Sequence, residues 1–139
     1  MANQKYDNTN VMADSGSLNW GQDHIFAILA KDATFNTSHK RFSQTGGSQV
    51  AVTEIPGRYM GSGGQAMGLP ASFRRVLKDQ NYQVLLVKDV GDNDPLVLSF
   101  YDVDTEAGTL RMTNNGTLIL RPVALVEGQS PDVGMWLRL

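Results

Sequence analysis

Between residues 82 and 120, apolar runs and turn residues alternate at nearly regular intervals. Gln83–Lys88 is an apolar, β-branched run, Asp89–Pro95 breaks it, and Leu96–Tyr101 resumes it. A second polar break, Asp102–Gly108, is followed by Thr109–Met112, a tight Thr113–Gly116 corner and Thr117–Arg121. Short strands closed by Gly, Asn, Asp and Pro at such spacing are the pattern of an antiparallel sandwich or barrel, not of a nucleotide-binding α/β domain.

The rest of the chain carries the same kind of signal with more interruptions. His24–Ala30 is too short for its period to separate helix from buried strand, but its Ile and Phe content between Gly21 and Asp32 favours a strand. Ser38–Ser43 predicts one helical turn, capped by Thr37 or Ser38 and ended by Gly46–Gly47. Gln49–Ile55 alternates and is stopped by Pro56–Gly57. Gly57–Gly68 is glycine-rich and predicts a kinked β-crossing. Its glycines lack the spacing of a dinucleotide loop, and no Lys-Ser/Thr pair follows as in a P-loop. Ala71–Leu77 and Met135–Leu139 read as further strands, Pro122 marks a strand edge or bulge, and Glu127–Gly134 is a loop. The predicted fold is all-β, an antiparallel β-sandwich or barrel-like fold with at most one short helical turn.

Residues 1–17 are polar, Asn-rich and without period. They predict a flexible N-terminal arm, or one that orders on a neighbouring subunit through Tyr6, Val11 and Met12. Residues 18–139 then form a single β domain with a C-terminal extension over 122–139.

Composition narrows the function classes. A chain of 139 residues fits one domain, and 14 glycines with 19% charged residues favour a turn-rich β protein. The net charge of −2 and the absence of any cationic cluster denser than Arg74–Arg75 argue against nucleic acid. With no cysteine there is no disulfide, thiolate nucleophile or Cys-ligated zinc. The start lacks the pattern of a signal peptide, and no apolar run approaches the ~18 residues of a membrane span, so synthesis in a cytoplasm without membrane association is expected.

No chemistry-bearing constellation stands out. His24 and His39 have only Asp23 nearby in sequence, whereas a metal site needs several convergent ligands. Asp89, Asp92 and Asp94 crowd one turn and Asp102, Asp104 and Glu106 the next. They read as ordinary turn residues, with structural calcium as the alternative. No Gly-x-Ser-x-Gly elbow occurs. Trp20 and Trp136 read as core or interface aromatics. No catalytic, cofactor-binding or metal residue is predicted, and the chain is not expected to be an enzyme.

The order of the pieces resembles a family of small tailed-phage virion proteins. Gly16–Trp20 followed by His24–Leu29 resembles that family's Ile/Leu-Asn/Asp-Trp element and the strand after it. Ala33–Asn36 with His39 resembles its Tyr-Thr-Phe-Asn-x-x-His step, and Gly57–Met67 its glycine-rich crossing. Tyr82–Asp89, Asp94–Leu96 and the Asn115–Gly116 corner resemble its closing strands. The likeness covers about residues 16–121, and the chain departs from it in the long N-terminal arm and in residues 122–139. The resemblance implies a structural part of a virion, assembled from a protein made in the host cytoplasm. The expected role is a capsid decoration (cement) subunit that bridges major capsid proteins or other virion proteins, with self-association as a trimer. The alternative is a tail or fibre component that binds a host receptor or carbohydrate. Tyr6, Val11, Met12 and Trp136 are the expected partner-binding anchors.

Overall fold

The computed structural model describes residues 3–73, 82–102, 110–112, 118–120, 124–125 and 134–139. Along the chain these form β1 (Asn3–Lys5), α1 (Asp7–Ser15), β2 (Ile25–Lys31), β3 (Ser48–Glu54), β4 (Tyr59–Met60), β5 (Gln65–Gly68) and β6 (Ala71–Phe73). They continue as β7 (Gln83–Lys88), β8 (Leu96–Asp102), β9 (Leu110–Met112), β10 (Leu118–Leu120), β11 (Ala124–Leu125) and β12 (Gly134–Arg138). The fold is all-β. One sheet has the order β1-β8-β7-β2-β3, a second β11-β12-β5-β4 and a third β6-β10-β9, and every pairing is antiparallel.

The five-stranded sheet is the scaffold because its central strands bury both faces. Ala27, Leu29, Val84, Leu86 and Leu98 join Phe73, Ala66, Trp136 and Leu137 from the other sheets in the main core. Ile28, Ala30, Leu85, Val87, Val97 and Phe100 point the other way, into a second cluster under the loop that carries Ala33, Phe35 and Phe42. Strands buried on both sides read as continuous apolar runs, as the sequence of β2 and β7 does. The register between β7 and β8 slips at Leu86–Val87. That slip is a β-bulge, which accommodates Leu98 and Ser99 on one side of the ladder.

The side sheets are held by close contacts. A side chain on Gly68 would put its Cβ 2.9 Å from Trp136 Nε1, so the indole packs only because that position is bare. The Tyr101 hydroxyl donates to the Trp136 carbonyl from inside the core. The Arg58 guanidinium donates to the carbonyls of Trp20 (2.9 Å), Ile55 (2.5 Å) and Asp23 (2.6 Å), tying the loop after Leu18 to the end of β3.

Two expectations are corrected. Residues 3–17 are not a free arm. β1 pairs with β8, and α1 follows as a nine-residue helix, longer than the single helical turn expected. The segment docks through Tyr6, Thr9 and Met12, spaced three apart on one helix face. All three are buried, and Thr9 Oγ1 donates to the Leu98 carbonyl at 2.7 Å. Gly16, at φ +77°, ends the helix in the left-handed conformation that glycine adopts without strain. The predicted turn at Ser38–Ser43 is also displaced. A 3₁₀ turn lies at Phe42–Thr45 with Gly46 after it, because Gln44 Oε1 accepts the amides of Lys40 (2.6 Å) and Arg41 (2.8 Å) and caps it there.

Elsewhere the predicted strands match within a few residues, and the glycine-rich segment folds as a hairpin of β4 against β5. The expectations for residues 74–77, for the turn around Asp104 and Glu106, for Asn115–Gly116, for Pro122 and for the loop at 127–133 fall outside the described residues.

Candidate functional site

The five-stranded sheet ends in β1 on one side and in β3 on the other. β3 is Ser48–Glu54, β-branched in its middle and without lysine, arginine or proline. Its backbone phase follows from one bond: the Ile55 amide donates to the Ile25 carbonyl at 3.0 Å. Residues alternate in an antiparallel ladder, so Ile55, Thr53 and Ala51 face β2, while Val52 and Glu54 aim their amide and carbonyl groups outward. Among the described residues, no backbone group pairs with those of Val52 and Glu54, but the next outward carbonyl, that of Pro56, accepts the Leu69 amide at 3.0 Å, and the chain returns from there as β6 close beside β3. Val52 is 47% exposed.

Beside this edge lies a groove of about 230 Å³. Phe26, Ile28, Val52 and Val87 line it with apolar surface, and Asp89 and Asp92 belong to its rim. Phe26 and Ile28 sit on β2 opposite Glu54 and Val52, and Val87 is the cross-strand partner of Phe26 on β7, so adjacent strands build the floor.

The rim is a clasped turn. Asp89 Oδ1 accepts the Gly91 amide (2.9 Å), and Asp92 Oδ1 accepts the Asp94 amide (3.0 Å). Asp92 Oδ2 takes the Arg41 guanidinium at 2.8 Å, while Asp94 holds both the amide (2.9 Å) and the hydroxyl (2.6 Å) of Ser43. These are the bonds of an Asx-type turn locked to the preceding loop. The Asp94 amide is the main cause that holds the Asp92 carboxyl below its ordinary range; desolvation opposes it, and the hydrogen bond and charge of Arg41 add smaller lowering effects.

The sequence-predicted anchors are not assembled into a surface. Tyr6 and Trp136 are fully buried and Met12 is 6% exposed. Tyr6 packs against Phe35 with ring centroids 4.9 Å apart in one cluster, and Met12 and Trp136 belong to the other. Their apolar bulk completes this chain's own core, which corrects the expectation that they meet a partner. Only Val11, 61% exposed on the outer side of α1, remains open to contact. Of the two histidines, His24 Nδ1 lies 3.3 Å from Glu54 Oε2 at the surface and His39 stacks near Tyr6. Trp20 and Trp136 are core aromatics, the first of the two readings, core or interface, that the sequence left open.

Sequence reasoning recognised β3 as a strand but not as an edge. The available signal was composition: a strand whose apolar positions flank it on solvent while no charge occurs before Glu54. A second cavity of about 430 Å³ lies between the end of α1 and β4, where Leu18, Trp20, Met60 and Leu139 meet. Among the described residues, no helix is long and apolar enough to cross a membrane. Comparison of the chain with models of known families, with curated proteins and with solved structures gives no match.

Proposed function

We propose that the chain is a virion structural protein, most directly a capsid decoration subunit that stabilises a shell by adding buried interface between its proteins. The observation that supports this reading is the exposed apolar groove beside β3, presented by the five-stranded sheet. Such a surface suits binding without turnover. The motif order from Gly16 to Arg121 supplies the virion context. The contact surface moves from the N-terminal arm, which the protein uses internally, to β3 and its flank. Self-association as a trimer at a threefold-related site belongs to the same proposal.

The test is co-sedimentation of the purified protein with phage shells from which decoration has been removed. Saturable binding that raises the shell's melting temperature is expected, and failure to bind overturns the reading. A tail or fibre component that recognises a receptor or carbohydrate is the second reading. The exposed Tyr59 and Met60 on β4, the latter lining the second cavity, favour it, and binding to host cells or a glycan array in place of shells would select it.

A further inference from the structure

We propose that the groove on the sheet face beside β3 is a socket for one lysine or arginine side chain of a protein partner, presented next to an apolar residue on a loop. The inference deepens the docking reading above and rests on it only for who supplies the side chain. It asks for side-chain contact alone and for no backbone pairing with β3.

The packing of the sheet places the socket. One cross-strand row runs over the second cluster's face from Phe100 through Leu85 and Ile28 to Val52. At the Phe100 end the chain covers this row itself. Phe35 packs on Phe100 with ring centroids 5.7 Å apart, and Tyr6 packs on Phe35. At the other end Ile28 is still buried, but Val52 is 47% exposed, so apolar surface runs out of the core into solvent. Phe26 and Val87, a cross-strand pair, widen the same floor. The strand that runs beside β3 does not lie over it: Ala71 and Phe73 of β6 belong to the main core, on the opposite face of the sheet.

The charges around the groove identify what covers it. Asp92 is matched by Arg41, Asp94 holds the amide and hydroxyl of Ser43, and Glu54 meets His24 at 3.3 Å and Arg58 at 3.8 Å. Asp89 bonds the Gly91 amide and forms no ion pair among the described residues. A carboxylate without a counter-charge beside an apolar floor complements a side chain with an aliphatic stem and a cationic head. The stem lies on Val52 and Phe26, and the head reaches Asp89. An apolar neighbour of that residue continues the uncovered row.

The test pans a displayed library of short cyclic random peptides against the full chain. The enriched peptides are then titrated into the chain labelled at its Ile, Leu and Val methyl groups. Peptides with lysine or arginine beside an apolar residue are expected, with shifts at the Ile28, Val52 and Val87 methyls and binding that weakens as salt is added. Asp89→Asn keeps an acceptor for the Gly91 amide but removes the charge, and should weaken binding about threefold to tenfold. Val52→Lys fills the floor and brings its own cation to Asp89, and should weaken it more than tenfold. Enrichment of acidic or uncharged peptides, no enrichment over the Val52→Lys chain, methyl shifts elsewhere, or unchanged binding to Asp89→Asn overturns the inference. So does self-association that shifts the same methyls without peptide, or butylammonium binding as tightly as the peptides. Should Val52→Lys fail to fold, Asp89→Asn and the methyl shifts of the unaltered chain decide. Shell binding that survives both substitutions sinks this inference and leaves the decoration role. Peptide binding in the groove by a protein that ignores shells does the reverse.

Discussion

The two flanks of the five-stranded sheet solve the same problem in opposite ways. At the β8 flank almost every outward group is used by the chain itself. β1 pairs with Ser99–Tyr101, Tyr6 N and Thr9 Oγ1 both reach the Leu98 carbonyl, and the Val97 amide donates to Lys40 O at 3.0 Å. The strand that would otherwise be an edge is sealed by a three-residue strand, a helix and a loop. At the β3 flank, seven residues end the sheet with Val50 and Val52 both more than 40% exposed. The difference teaches where this protein invests order. Its polar N-terminal segment closes one edge, whereas at the other no described backbone group pairs with Val52 or Glu54, and only the Leu69 amide, on the approach to β6, reaches the outer side at the Pro56 carbonyl.

The largest expected effect breaks the closed flank. Tyr6 is fully buried among Phe35, Phe100 and His39, so Tyr6→Ala leaves a cavity that a sheet edge cannot collapse around. A loss of about 3–5 kcal/mol is expected, read as a lower urea midpoint at unchanged slope. A loss below about 1 kcal/mol would show that the arm is only loosely held and that the two flanks are alike. Thr9→Val is milder. It removes the buried 2.7 Å bond to Leu98 O while that carbonyl keeps the Tyr6 amide at 3.2 Å, so about 1 kcal/mol is expected.

The contrast also explains what the sequence made legible. β2, β7 and β8 announced themselves because local runs of Ile, Leu, Val and Phe need no partner to be recognised as buried strands. α1 did not, because Asp7–Ser15 is polar nearly all round and its docking depends on three residues, Tyr6, Thr9 and Met12, one of them a threonine. Their meaning appears only when the Leu98 carbonyl is known to lie beside them. Tyr6, Met12 and Trp136 were expected as partner-binding anchors, but their apolar side chains are covered by this chain's own core. For β3, periodicity revealed the strand, whereas edge status depends on sheet order, a property of contacts between residues far apart in sequence.

The clasp over the groove offers a smaller effect, one that depends on pH. The Asp92 carboxyl ionises more readily in the folded protein than its ordinary value of 3.8, so it adds stability above that value. That contribution is lost as pH falls from about 4 through the depressed folded value. Urea midpoints of the unaltered chain and of Asp92→Asn should therefore differ at pH 6, and the difference should shrink as the pH falls below the ordinary carboxylate range. A difference that persists at low pH would mean that the Asp94 amide and Arg41 do not favour the charged form.

The smallest expected change in stability carries the sharpest statement about the open flank. Val52→Lys puts a charge at a half-exposed edge position whose side chain shares the floor of the groove, and whose N–H and C=O bond nothing in β2. If β3 is a free edge, the substitution should shift stability by no more than about 0.5 kcal/mol, the range of ordinary surface changes. Large destabilisation would instead show that Val52 is covered by the protein's own chain. The asymmetry between the flanks would then be one of sequence only, with both edges closed.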